Sequence, residues 1–305
     1  MACRIGCNSF IALILAFSTI FSAGCAQAAG ERIVSLAPSN TELIYSLGAE
    51  DKLVGRSKFC DYPPSVKNKT IVGDFVAPNV ERLMQVKPDV VLLVNGQETM
   101  DGLLKKHHFK TRLLKNLHIE EIPQNLLTLG SMTGRQGRAK ELAADFETAV
   151  QKLRVILKGQ PEPRVLFVAW PKPLMTVGAQ SFVNDCITTS GGVNVAADMS
   201  TSYPHISQER LLLSAPDVII FPYEAQTQTF WKAAPWTSLK AMREKRYYFL
   251  PKPDADGLSR PTLRVIDGLY WLTSRIHPQC RAAVDAWYQQ SHASMAGGSI
   301  GKASH

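Results

Sequence analysis

The chain has 305 residues, 45% of them hydrophobic and 20% charged, with a formal net charge of +8. This composition excludes a disordered or fibrous chain, and the length allows one large domain or two of ordinary size. The basic residues are scattered in pairs such as Lys105-Lys106, so the surplus reads as a solvated surface and not as a nucleic-acid-binding tract.

The first residues form a leader. Arg4 precedes the apolar run from Phe10 to Ala23, and "AQA" at Ala26 to Ala28 offers a small-residue cleavage site. Residues 1–28 therefore read as a secretory signal peptide, too short in its apolar run for the roughly 20 residues that span a bilayer. The stretch "SAGC" ending at Cys25 has the cysteine of a lipoprotein cleavage box but carries Ser22 where such boxes usually have Leu. Soluble release is the favoured reading, with lipid anchoring at Cys25 the alternative.

After the leader, "RIVSL" at Arg32 to Leu36 reads as a strand feeding a helix capped by Ser39 or Asn40, with Leu43, Ile44 and Leu47 on one face and Gly48 as its stop. "VERLMQVKPDVVLLV" from Val80 to Val94 gives a short helix, a break at Pro88 and a buried strand. "LHIEEIP" around Ile119 predicts a further strand. Strands apolar on both faces, alternating with helices, imply a parallel sheet covered by helices over residues 29–131.

From Thr133 the period changes. Ala139, Leu142, Ala143, Phe146, Ala149, Val150, Leu153, Ile156 and Leu157 recur at spacings of three and four, which predicts one long amphipathic helix within residues 132–159, ended by Gly159, Pro161 and Pro163. A second α/β series occupies residues 160–289: strands at "RVLFVAW" and "YYFLP", a helix entering the Ser190 to Gly192 turn, and helices over Pro261 to Ile276 and Ala282 to Tyr288. Residues 290–305 lack apolar periodicity and read as a disordered tail. The fold class is α/β, with two Rossmann-like lobes joined by a single long backbone helix.

The phrase at Val80 recurs in the second series as "QERLLLSAPDVIIFP" from Gln208 to Pro222, with Glu81, Arg82, Leu83, Pro88, Asp89 and Val90 matched by Glu209, Arg210, Leu211, Pro216, Asp217 and Val218. The match marks the same structural position in each lobe. Beyond the leader three cysteines remain, Cys60, Cys186 and Cys280; a Cys186–Cys280 disulfide and three buried thiols are both open.

Signatures of catalysis are absent: there is no Walker loop, no G-x-S-x-G elbow, no H-E-x-x-H and no C-x-x-C. No spacing of histidine or cysteine fits a metal site. What stands out instead is a set of proline-stiffened loops bearing aromatic or charged groups: "FCDYPP", "GDFVAPN", "WPKPLMTVG", "TSYPHIS" and "KPDADGLSRP". Two facing α/β lobes would gather such loops around a cleft suited to a large, partly apolar ligand.

"RIVSLAPSNTELIYSLGAEDKLVG", "CDYPP", "NVERLMQVKPDVVLL", "TVGAQSFVNDCITTSGGVN", "YPHISQERLLLSAPDVIIF" and "SRPTLRVIDGL" occur in that order from Arg32 to His277. Together they resemble the periplasmic substrate-binding proteins of ABC importers for cobalamin, haem and ferric siderophores, and are most similar to the cobalamin-binding branch. The resemblance implies a non-enzymatic monomer without a cofactor, a metal site or a nucleic-acid partner; an exported enzyme acting on a corrinoid is the less favoured alternative. Its ligand, a corrinoid or alternatively a haem or ferric siderophore, lies in the interlobe cleft. Carried over position by position, Asp61, Tyr62, Phe75, Met175, Tyr203, Asp254 and Arg260 line that cleft. The cobalamin-binding relatives place tryptophan where Phe75 and Tyr203 stand, and phenylalanine where Met175 stands. The resemblance also makes Glu81 and Glu209 contact points, one per lobe, for an inner-membrane permease dimer that works with ATPase subunits.

Overall fold

The computed structural model describes residues 31–296, so the leader, Cys25 and residues 297–305 lie outside the described residues. Strands β1 (Ile33–Ser35), β2 (Leu53–Arg56), β3 (Thr70–Ile71), β4 (Val90–Val94) and β5 (Thr111–Leu114) make one sheet in the order β3-β2-β1-β4-β5, with every pairing parallel. Both central strands, β1 and β4, are buried along their whole length, which is why they are written as unbroken apolar runs. Helices α1 (Pro38–Ser46), α2 (Val80–Val86) and α3 (Glu98–Lys106) follow strands of this sheet.

Two expectations change here. Helix α1 starts one residue before the expected caps: Ala37 is the N-cap, Pro38 takes the first helical position, and Ser39 and Asn40 are buried within the helix. The strand expected around Ile119 does not form. The sheet's last strand is β5, upstream, an edge strand whose "TRLL" is buried only at Leu114 and so lacks an apolar run to announce it. "EEIP" instead opens helix α4 (Glu121–Thr133), with Pro123 in the first turn, where its missing N–H leaves no hydrogen bond unmade. The Glu121 carboxylate accepts from the Leu117 and His118 amides at 2.7 and 3.0 Å.

The predicted long helix is α5 (Gln136–Leu157), separated from α4 by Gly134 at φ +75°. Its buried face is the predicted one, from Ala139 through Leu142, Phe146 and Leu153 to Leu157. Gly130 of α4 sits so close to α5 that a Cβ there would stand 2.3 Å from the Ala139 methyl.

In the second lobe β6 (Arg164–Pro171) is central. Its beginning pairs with β8 (Val193–Asn194), its middle with β9 (Val218–Pro222), and its end turns back into the antiparallel β7 (Leu174–Thr176); β10 (Tyr247–Leu250) lies on the far edge of β9. Helices α6 (Phe182–Thr189), α7 (Gln208–Ser214), α8 (Lys240–Arg243), α9 (Lys252–Ser259), α10 (Val265–Ile276) and α11 (Arg281–Ala296) complete it. The segment "KPDADGLS", read as a loop, is the helix α9; α10 begins at Val265 and not at Pro261. Helix α11 runs to Ala296, past the expected start of the tail, because Ser291 and Met295 are buried and Trp287 donates its indole N–H to the Ala149 carbonyl of α5 at 2.7 Å. One apolar core continues through both lobes and α5, including Ile33, Leu92, Phe146, Val165, Ile220 and Leu272.

The Cys186–Cys280 disulfide is not formed. Cys60, Cys186 and Cys280 are all free: Cys186 is enclosed in the core by α6, whereas Cys280 is partly exposed in the turn before α11. Burial raises the pKa of the Cys186 thiol, so it stays protonated.

The repeated phrase is a repeated structure. Asn79 caps α2 and Ser207 caps α7, each accepting from the amide three residues on. Both helices stop at a residue in the left-handed region, Lys87 at φ +45° and Ala215 at φ +40°. The aspartates then tie β4 to β1 and β9 to β6: Asp89 accepts from the Arg32 amide at 2.7 Å, and Asp217 from the Arg164 amide at 3.0 Å.

Candidate functional site

Parallel α/β sheets bind ligands beyond the carboxyl ends of their strands, at the point where strand order reverses. Here that point lies between β1 and β4 in one lobe and between β6 and β9 in the other. Residues from the carboxyl-end segments of both lobes touch. Glu42, one turn into α1, and Asp61, after β2, both accept from Nη1 of Arg260, which follows α9, at 2.9 and 2.7 Å. The two carboxyl edges therefore meet through this arginine, which makes it the floor of the candidate interlobe cleft.

The floor is a dense ion network. Glu42, only 4% exposed, also accepts from the Thr262 hydroxyl at 3.2 Å and from Arg264 Nη1 at 3.3 and 3.4 Å. Asp256 lies 3.2 Å from Arg260 Nη2 and 3.9 Å from Arg264 Nη2. The Arg264 guanidinium sits 4.2 Å from the centre of the Tyr62 ring, a cation–π contact. Burial is the largest influence on Glu42 and pushes its pKa up, against the pull of Arg264 and Arg260. At Asp61 burial also pushes upward, but the hydrogen bond and charge of Arg260 outweigh it and hold the carboxyl below its ordinary value. Burial pulls the Arg260 guanidinium down and its bonds to Asp61 and Glu42 raise it further, so it stays charged.

Loops of both lobes carry exposed aromatic and apolar side chains, Phe59, Tyr62, Val76, Trp170, Tyr203 and Tyr223, and of these Tyr62 touches the network through Arg264. The loop bearing Phe75 is braced: Asp74 accepts from the amides of Val76 and Ala77 and pairs with Lys58 at 3.0 Å, while Gln97 donates to the Phe75 carbonyl at 2.7 Å. Met175 and Tyr203 are brought near one another, because β7 holds the 201–207 segment through a Met175–His205 bridge and a Thr176 amide bond to the Pro204 carbonyl at 3.0 Å. Trp170 donates its indole N–H to the Lys172 carbonyl at the hairpin tip, 2.9 Å away, and over half of it is exposed.

Of the residues carried over from the resemblance, Asp61, Tyr62 and Arg260 meet in one cluster. Asp254 does not join them. Burial and Asp267 raise its pKa, with the charges of Arg275 and of the cluster's Arg264 opposing. Because the segment is helical, Asp256, four residues before Arg260, carries the contact instead. Glu42, Asp256, Thr262 and Arg264 were missed. The one signal for Glu42 is that α1 has no polar face over Ser39 to Ile44, all of them buried, so a glutamate there needs a buried partner. Glu81 and Glu209 are both exposed in the first turns of α2 and α7. Among the described residues no group of three or more His, Cys, Asp or Glu is placed to hold a metal ion.

A family model described as periplasmic binding protein matches residues 33–253. A vitamin B12-binding protein of Vibrio vulnificus is 28% identical over 251 residues, covering 81% of this chain and 90% of its own. Another, from Yersinia pseudotuberculosis, is 32% identical over 197 residues, covering 64% of this chain and 70% of its own. The crystal structure of the periplasmic vitamin B12-binding protein BtuF of Vibrio cholerae superposes with a TM-score of 0.73 at 27% identity, over 85% of this chain and 98% of that one. A periplasmic heme-binding protein of Pseudomonas aeruginosa shares the fold, with a TM-score of 0.68 at 24% identity over 82% and 93% of the two chains. With two lobes meeting at a cleft, and a family model spanning most of its length, the chain belongs to the periplasmic binding protein family.

Proposed function

We propose that this protein is a periplasmic receptor that captures cobalamin or a related corrinoid in the interlobe cleft, without chemical turnover, and delivers it to an inner-membrane ABC importer. The observation that carries the reading is the contact between the lobes, where Arg260 pairs with Glu42 and Asp61, together with the exposed aromatics Phe59, Tyr62, Trp170, Tyr203 and Tyr223 on loops of the two lobes. A corrinoid presents a broad apolar ring rimmed with amides. Aromatic faces suit the ring, and carboxylates and guanidiniums suit amide donors and acceptors. The relatives named for vitamin B12 binding support the same ligand class. Residues 1–28 would direct export and leave the mature chain soluble in the periplasm.

Glu81 and Glu209, one per lobe and each in the first turn of a capped helix, would meet arginines on the two permease subunits. The Glu81→Ala, Glu209→Ala double variant should keep its corrinoid affinity and lose uptake in a reconstituted importer. Loss of ligand binding in that variant would remove the docking assignment. Titration with cyanocobalamin, cobinamide and haemin tests the ligand class, and binding of haemin alone would replace the corrinoid with haem.

A further inference from the structure

We propose that the cleft floor is built to reject anionic ligands, with Asp61 and Asp256 as specificity-determining residues that favour a neutral or cationic amide-bearing ring over one carrying carboxylates. This rests on the reading of the cleft as the ligand site. The whole chain is basic, at +8, which by itself would favour an anionic ligand. The floor does not present that surplus. Three carboxylates, Glu42, Asp61 and Asp256, surround two guanidiniums, Arg260 and Arg264, and the neighbouring Arg56 is buried and bonded to the Ser57 and Cys60 carbonyls.

The distribution matters as much as the sum. Both arginines are already engaged, Arg260 with all three carboxylates and Arg264 with Glu42 and the Tyr62 ring, so neither is an open anion receptor. Glu42 is buried, whereas the Asp61 and Asp256 side chains remain 58% and 38% exposed. The groups a ligand meets first at the floor are therefore acceptor oxygens. An amide offers N–H donors to those oxygens and a carbonyl to any free guanidinium N–H. A carboxylate offers acceptors only, and set against Asp61 it leaves two like charges without a bridging proton. That is discrimination by repulsion. Of the lysines on the surrounding loops, Lys58 is paired with Asp74 at 3.0 Å, and Lys172 lies on the exposed β6–β7 hairpin.

The test is a titration series on the full mature chain and its Asp61→Asn and Asp256→Asn variants, with thermal unfolding run alongside to establish that each variant folds. The ligands are cyanocobalamin, its mono- and tricarboxylic acid derivatives, haemin and haemin dimethyl ester. In the parent protein each added carboxylate should weaken corrinoid binding by about three- to tenfold, as expected for like charges several ångströms apart in a partly wet site. Either variant should reduce that penalty by at least about threefold. A penalty absent in the parent protein, or unchanged in both folded variants, would overturn the proposal. Haemin binding more tightly than its ester would also overturn it. If no corrinoid binds but the ester binds better than haemin, the corrinoid reading ends and charge selection stands. Binding of none of the ligands ends both.

Discussion

Glu42 joins the two lobes through a buried carboxylate. A carboxylate buried to this degree is tolerated because Arg260, Arg264 and Thr262 satisfy it together, and removing one side of such a cluster leaves charge uncompensated. Glu42→Ala should therefore lower stability in chemical denaturation by about 3–5 kcal/mol. A loss within the range of an ordinary surface substitution would mean that the network contributes little to joining the lobes. His277 makes a second prediction. It is fully buried, and burial lowers its pKa despite the Gly191 carbonyl 3.2 Å from Nε2. The unfolded chain then takes up the proton first, so stability is complete above the ordinary histidine pKa of about 6.5 and falls as the pH drops below it. His277→Gln should flatten the stability profile below that pH, measured by thermal unfolding across a pH series; an unchanged acid limb would contradict this. Neither residue stood out in the sequence. Glu42 lies 218 positions from Arg260, and no local pattern reports a pairing at that range.

At the scale of elements, α2 and α7 are two instances of one unit: cap, glutamate, left-handed stop, proline, aspartate, strand. The caps predict that Asn79→Ala and Ser207→Ala each cost about 1 kcal/mol. Ala215 at φ +40° holds a conformation that a Cβ disfavours, so Ala215→Gly should stabilise the protein by about 0.5–1 kcal/mol in thermal unfolding. Destabilisation by Ala215→Gly would show that the Ala215 methyl packs more favourably than its backbone strain costs. The unit was legible because its signals are local: the short helix, the proline and the apolar run sit within the fifteen residues from Val80 to Val94. So was α5, whose period of 3.6 persists over 22 residues. The strand β5 was hidden because an edge strand needs no apolar run. Helix α9 was hidden because "KPDADGLSRP" carries the glycine and prolines of a turn, yet its Pro253 falls in the first turn, where a helix accepts it.

At the scale of the molecule, the two-lobe plan followed from alternation and from the change of period at Thr133. The long core through Phe146 and the clamp of α11 on α5 make the lobes one packed body. The sequence expectation set Asp61, Tyr62 and Arg260 in one site, and the structure brings the three into one cluster, whereas Asp256 entered it only once the segment proved helical. The proposed function requires that this cleft hold a corrinoid through its charged floor. Calorimetric titration of the mature protein and of Arg260→Ala with cyanocobalamin measures that directly. One-to-one binding by the parent protein and at least about tenfold weaker binding by the folded variant are expected, because Asp61 and Asp256 lose the guanidinium that holds them in place. Absence of corrinoid binding by the parent protein, or equal affinity in Arg260→Ala, would contradict it.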